Sequence, residues 1–138
     1  MTKVVGRNIL VLVGAYYLSI LLGMPFFVLF AKFEEGRVYQ GDIGSLVGTL
    51  VNTIPFAVDA IIAGVMAGWL VEFKSPYRWA WTLGAFLFLS RISSHHWKRP
   101  PEAIDLIGEI LEATIVGLVA VPAFMVSRRF LVRASDVG

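Results

Sequence analysis

Residues 104–126 read IDLIGEILEATIVGLVAVPAFMV, an apolar run into which acidic side chains extend. Spanning a bilayer takes about 20 mostly apolar residues, so this run predicts a transmembrane helix. Glu102, Asp105, Glu109 and Glu112 recur at i, i+3, i+7 and i+10, which places them on one face of that helix. Acids inside a span are costly and usually functional, so this face is the first candidate for a site.

The composition of the whole chain indicates that its solvent is lipid. Of 138 residues, 57% are hydrophobic and 16% are charged, with a mean hydropathy of +0.75. A soluble domain carries about a quarter charged residues. We therefore predict an integral membrane protein that is all-α and forms a single transmembrane domain over residues 1–138.

The net charge of +2 does not indicate nucleic acid as a partner. The absence of cysteine excludes disulfides and thiolate chemistry.

Four transmembrane helices are predicted, arranged as two hairpins with short loops. The first apolar run has 24 residues, longer than the roughly 7–15 of a signal peptide, so we expect it to be retained. The third has only 12 uncharged residues between Arg78 and Arg91, about 18 Å of helix. It crosses the bilayer only if it extends from Tyr77 to Trp97; the alternative is a re-entrant or surface helix. The predicted spans are residues 8–31, 45–71, 77–97 and 104–126.

The basic residues outside the apolar cores favour a location of both termini in the cytoplasm, in a plasma (inner) membrane. With that orientation seven Lys and Arg residues lie on the cytoplasmic side and five on the other. This is the direction of the positive-inside rule, which counts basic residues alone.

A third span that continues to Trp97 places Arg91 about 9 Å inside its end, where it needs a counter-ion or must snorkel to the interface. The third helix ends on the side where the fourth begins, so Arg91 and Glu109 are expected at similar depth. Glu112 lies near the midplane, where a carboxylate is either protonated or paired, and Arg91 is the obvious partner. The sequence leaves open whether Arg91 instead neutralises Glu109, which would leave Glu112 as a spare carboxylate. A closed ion pair without a free acid favours a scaffold, whereas a spare carboxylate favours proton or cation transport.

A second polar face is predicted in the second span, where Ser45, Gly48, Asn52, Pro55 and Asp59 fall at i, i+3, i+7, i+10 and i+14. Pro55 frees a backbone carbonyl, and Asp59 adds a carboxylate deep in the bilayer. Interhelical hydrogen bonding is the structural alternative for this face. The candidates for an ion or proton pathway, or a buried polar network, are Asp59, Asn52, Glu109, Glu112 and Arg91.

Small residues predict where helices approach closely. Gly64 and Gly68 form a small-xxx-small segment, and with Pro55 they are the candidate packing residues. A faint repeat matches residues 13–16 with 83–86 and residues 46–50 with 106–110. It would relate the two hairpins by an axis along the membrane normal, as in some transporters, although apolar helices also share letters by chance.

The chain has two histidines, His95 and His96, at the predicted outer interface. They are weak candidates for a metal or pigment site, because adjacent residues point to different faces of a helix. Solvated interfacial histidines are the simpler interpretation. No cofactor is implied by the sequence.

Function is not decided by any motif. A phosphate loop, a nucleophile elbow, a zinc-protease helix and a dinucleotide fingerprint are all absent, which argues against a conventional enzyme. The first hypothesis is an accessory or structural subunit of a larger membrane complex, with the bilayer and other membrane subunits, or further copies of itself, as partners. The alternative is a small homo-oligomeric proton- or cation-coupled transporter or channel that uses intramembrane carboxylates. A metal- or pigment-binding protein is a minor alternative.

Overall fold

The computed structural model describes residues 2–71, 76–93 and 103–137 and is helical throughout, apart from the loop that joins the first two helices. Prolines 25, 55 and 122 lie inside helices that continue through them. The prediction of an all-α bundle is confirmed. The helices are α1 (Thr2–Glu34), α2 (Gly41–Leu70), α3 (Pro76–Ser93) and α4 (Ala103–Val137).

Three of the described helices are long and apolar enough to cross a membrane: Thr2–Glu34, Ile43–Leu70 and Leu106–Leu131. The described part of α3 is not among them. It has 18 residues, about 27 Å of helix, and carries Arg78 and Arg91. The predicted continuation of this helix to Trp97 lies outside the described residues.

The bundle is centred on α2 and α4, which pack against each other along most of their length. They run parallel, because Gly64 of α2 meets Ala120 and, one turn further on, Gly68 meets Ser127. A Cβ placed at Gly64 would lie 2.6 Å from the carbonyl oxygen of Ala120, so only glycine permits this separation. Lipid tails are as apolar as leucine, so close backbone packing of this kind is what holds membrane helices together.

Helices α1 and α3 flank this central pair, α1 against α2 and α3 against α4. Each forms an antiparallel hairpin with its neighbour, and in the second hairpin a Cβ at Gly84 would lie 2.9 Å from the carbonyl oxygen of Gly117. The flanking helices meet where the ring of Tyr16 packs edge-on against Phe86, 5.4 Å between centroids. The predicted repeat also pairs Tyr16 of α1 with Phe86 of α3. These two equivalent positions are therefore in direct contact.

Polar side chains form hydrogen bonds at both ends of the bundle. At one end Arg128 of α4 donates hydrogen bonds to the carbonyl oxygens of Gly68 and Val71, which close the last turn of α2. At the other end the Tyr39 hydroxyl donates to Oε2 of Glu34, 2.7 Å away. The first contact satisfies carbonyls that a helix C-terminus leaves without partners.

Candidate functional site

A cavity of about 240 Å³ lies inside the bundle, between α1, α2 and α3, with one side closed by Val116 of α4. It is lined by apolar and aromatic side chains together with a small number of polar groups. The polar groups come from three different helices. They are the carboxylate of Asp59, the guanidinium of Arg91 and the hydroxyls of Tyr16, Ser19 and Ser90.

Asp59 projects from α2 toward α1 and is half-buried. A Cβ at Gly23 would overlap its Oδ1 atom, so the carboxylate lies directly over the backbone of α1. Among the described residues, no hydrogen bond or salt bridge reaches this carboxylate. The described part of the chain thus offers this acid no partner to offset the loss of water.

Arg91, by contrast, is bound on two sides. Its Nε donates to Oε1 of Glu112, 2.5 Å away, and its Nη2 forms a salt bridge with the same oxygen. Its guanidinium carbon lies 3.5 Å from the centroid of the Phe56 ring, in a cation–π contact. Both side chains of the ion pair are largely buried, 20% exposed for Arg91 and 11% for Glu112. The pair therefore joins α3 to α4 and is close to neutral as a unit.

The hydroxyl groups of the cavity are held by their own helices. Ser19 donates to the carbonyl oxygen of Tyr16 at 2.6 Å, and Ser90 donates to that of Leu87 at 2.9 Å. A hydroxyl whose proton is used in this way presents its oxygen lone pairs to other groups. The Ser19 oxygen therefore keeps the capacity to accept a hydrogen bond at the cavity wall.

The sequence leaves open which acid of α4 pairs with Arg91, Glu109 at similar depth or Glu112 near the midplane. The structure places the guanidinium on Glu112, so Glu112 is not a spare carboxylate. Glu109 is half-buried one turn before it, with Oε2 enclosed by protein. The two acids differ by three residues, about 4.5 Å in depth. The rotation of α4 about its axis brings Glu112 into contact with Arg91.

The remaining candidates lie apart from the cavity. Asn52 is exposed on the surface of α2, and Pro55 is buried within that helix. Gly64 and Gly68 lie in the contact with α4. His95, His96 and Glu102 lie outside the described residues, as does the side chain of Asp105. Within the part of the chain that the structure describes, no group of three metal-ligating side chains occurs.

Sequence reasoning missed the contribution of α1 to this site. Tyr16, Ser19 and Gly23 recur at i, i+3 and i+7 and share the face that meets α2. This polar and small stripe in an apolar helix is the signal that could have revealed them. Ser90 was also missed, because its neighbour Arg91 is the stronger signal in that part of the sequence.

Comparison with known families, curated proteins and solved structures finds no match to this chain. The site's geometry and chemistry are therefore the basis for a functional proposal.

Proposed function

We propose that this chain is a small membrane transporter coupled to protons or cations, with Asp59 as the binding carboxylate. The observation that carries the proposal is the position of Asp59 on an internal cavity, without a hydrogen bond or salt bridge from the described residues. A charged carboxylate buried among apolar helices costs several kcal/mol unless a proton or a cation neutralises it. Reversible neutralisation is the elementary step of proton- or cation-coupled transport.

The charges around the cavity support a cation rather than an anion. Arg91 is the only basic side chain among the described residues of the wall, and Glu112 offsets its charge. Asp59 then leaves the site with one excess negative charge. Since Coulomb interactions are strong where water is excluded, this charge selects positive species.

A second role follows for the Arg91–Glu112 pair. It lies in the same cavity wall as Asp59 but holds α3 against α4. We assign it to the stability of the site rather than to the binding step. Asn52, exposed on α2, has no part in this proposal.

We propose that the working unit is a homo-oligomer. Only a narrow stripe of α1 is buried, formed by Asn8, Leu12, Ala15, Ser19 and Gly23. The remaining surface of α1 is available to lipid or to a second copy. The mass of the detergent-solubilised protein, measured by light scattering with detergent correction, tests this point.

The transport proposal is tested in proteoliposomes. A pH-sensitive dye inside the vesicles reports proton movement when a membrane potential is imposed. We expect flux for the unchanged protein, loss of flux for Asp59→Asn, and retained flux for Glu35→Gln, which removes an exposed carboxylate beyond the end of α1. Equal flux for Asp59→Asn and the unchanged protein, with protons and with Na⁺ or K⁺, would exclude Asp59 as the binding group.

An accessory subunit of a membrane complex is the second candidate. The observation that favours it is the closed Arg91–Glu112 pair, since buried charges used for helix packing need no transport role. Purification from the native membrane in a gentle detergent separates the two. A stable complex with other membrane proteins, together with absent flux for the isolated chain, would favour the subunit.

A further inference from the structure

The cavity has the composition of a binding site for an organic ammonium ion. Beside Asp59, its wall contains the aromatic rings of Tyr16 and Phe27 on α1 and Phe56 on α2. Phe27 and Phe56 lie 6.4 Å apart between centroids, at an angle of 58°. Aromatic faces attract cations, and groups of such rings are the usual receptors for alkylated ammonium ions. A carboxylate with aromatic walls thus fits a cation that carries apolar substituents.

A cation–π contact already exists in this wall. Arg91 places its guanidinium over Phe56, at 3.5 Å from the ring centroid. This arrangement shows that a planar cation is accommodated among these rings. The ring of Phe27 and the carboxylate of Asp59 receive no such cation from the described residues.

We propose that the cavity binds a small apolar monovalent ammonium ion, with Asp59 as the counter-ion and the rings of Tyr16 and Phe27 around its alkyl or aryl groups. The inference rests on the proposed function and names the substrate class of the same site. It is narrower than that function, because a proton or a metal cation needs the carboxylate but not the aromatic walls.

The size of the cavity limits the ligand. The volume of about 240 Å³ is many times what a single buried water molecule needs. An ammonium ion with a few short alkyl groups or one aromatic ring fills that space.

The mouth of the cavity is on the side of the bundle. Met24 and Phe27 line the cavity and are also 50% and 45% exposed at the bundle surface. Both belong to α1, within a helix apolar enough to span a membrane. A ligand that enters beside them arrives from the lipid, which suits an ammonium ion that is itself partly apolar.

The charge of Asp59 and the competition between protons and ammonium ions for it determine which ligands the site binds. Among the described residues, the other charged or titratable groups at the cavity are Tyr16 on α1 and Arg91 on α3, and Arg91 is bound to Glu112 of α4. A neutral ligand leaves the Asp59 carboxylate unpaired, and an anion is repelled by it. A proton on Asp59 excludes the ammonium ion, so binding must weaken as the pH falls.

The probe for the experiment is benzyltrimethylammonium, compared with its uncharged isostere neopentylbenzene and with the anion benzenesulfonate. The protein is reconstituted in lipid nanodiscs, and binding is measured by equilibrium dialysis of labelled probe. We expect saturable binding of the cation at one site per chain, at least about tenfold tighter than either control compound, because a charge pair of low exposure is worth more than one factor of ten. Affinity should fall with decreasing pH.

Three variants complete the test. Asp59→Asn should abolish the preference for the cation over neopentylbenzene and the pH dependence together. Phe27→Leu keeps the carboxylate and should weaken binding of the cation by about tenfold or less, since a cation–π contact contributes less free energy than the ion pair. Glu35→Gln should bind like the unchanged protein. Each variant is used only if it elutes as a single folded species in size-exclusion chromatography.

The outcomes separate this inference from the proposed function. Proton or metal-cation flux that depends on Asp59, without benzyltrimethylammonium binding, overturns the substrate class and leaves the transport proposal standing. Equal binding of the cation and neopentylbenzene overturns it as well. Absence of both flux and binding removes the two proposals together.

Discussion

The Asp59 carboxylate of α2 lies against the backbone of Gly23 in α1, in the volume that a side chain at position 23 would fill. The contact joins the first hairpin at the level of the cavity, which both residues line. It makes Gly23 a positioning residue for Asp59. Any larger residue there moves the carboxylate without removing it.

We expect Gly23→Ala to reduce flux and ammonium binding by about tenfold or more, since ångström displacements of a functional group cost up to about 10²-fold. Stability should change little, because the displaced atom is the end of a side chain. The control is Gly14→Ala on the same helix, whose added methyl meets nothing within 4 Å. Normal flux in Gly23→Ala would show that the position of Asp59 does not matter.

Removing one member of the Arg91–Glu112 pair should destabilise the bundle strongly. Arg91→Met and Glu112→Leu each leave a buried charge, with an expected cost of about 3–5 kcal/mol in the free energy of unfolding. The double variant should recover most of this loss. Unfolding in mixed micelles of increasing SDS content measures all three proteins.

The control for that cycle is the Glu34–Arg37 pair, in which Nε of Arg37 lies 3.6 Å from Oε1 of Glu34 and only the arginine is exposed. Arg37 is 52% exposed, so the coupling of this pair should be about 0.5 kcal/mol or less. If the losses in unfolding free energy of the two single variants simply add in the double variant, Arg91 and Glu112 are not energetically coupled.

The approach of α3 to α4 should depend on Gly84. An added methyl would lie 2.9 Å from the carbonyl oxygen of Gly117, so Gly84→Ala must push the helices apart. We expect a loss of about 1–3 kcal/mol, typical of overpacking. Gly14→Ala is again the control, and its methyl should raise helix stability by up to about 1 kcal/mol. Unchanged SDS resistance of Gly84→Ala would mean that α3 adjusts without cost.

Arg128 should contribute to stability and its neighbour Arg129 should not. Arg128 donates to the carbonyl oxygens of Gly68 and Val71, whereas Arg129 is exposed. Arg128→Gln should cost about 1.5–3 kcal/mol, the range for hydrogen bonds that involve a charged group. Arg129→Gln should cost less than about 0.5 kcal/mol. Equal losses in the two variants would assign the effect to membrane-surface charge instead.

The loop between α1 and α2 should show a perturbed tyrosine. The hydrogen bond to Glu34 raises the pKa of the Tyr39 phenol above its ordinary value of 10.0. The protonated phenol is the donor, so this contact is fully present below pH 10 and is lost as the pH rises through the raised pKa. NMR titration of ring-labelled Tyr39 measures it. Glu34→Ala should return the pKa toward 10, and Glu35→Ala should leave it raised.

Hydropathy was sufficient to predict an all-helical membrane bundle because lipid offers no hydrogen bonds, so an apolar run of sufficient length must satisfy its own backbone. The small-residue segment at Gly64 and Gly68 likewise predicted a surface for close helix packing, and the structure places it against α4. The third helix was the difficult one, since its charges leave only a short apolar core. Its described length remains below that of the other three.

The partners of the buried charges could not be predicted in the same way. Sequence spacing placed Asp59, Glu109, Glu112 and Arg91 at approximate depths, but a pairing also needs the rotation of each helix. Three residues turn a helix by about 300°, so Glu109 and Glu112 lie only about 60° apart around α4, and a small rotation changes which of them is better aligned with Arg91. The contribution of α1 to the site could not be predicted for the same reason.

The sequence by itself determined that this chain is a bundle of apolar helices, that acids and Arg91 interrupt their apolar faces, and that small residues bring the helices together. Those properties depend on composition and periodicity, which are local. Only the tertiary structure decided that Arg91 neutralises Glu112, that Asp59 faces a cavity beside Gly23, and that aromatic rings complete the wall. Those relationships depend on the relative rotation and separation of four helices, and the packing of the whole bundle sets both.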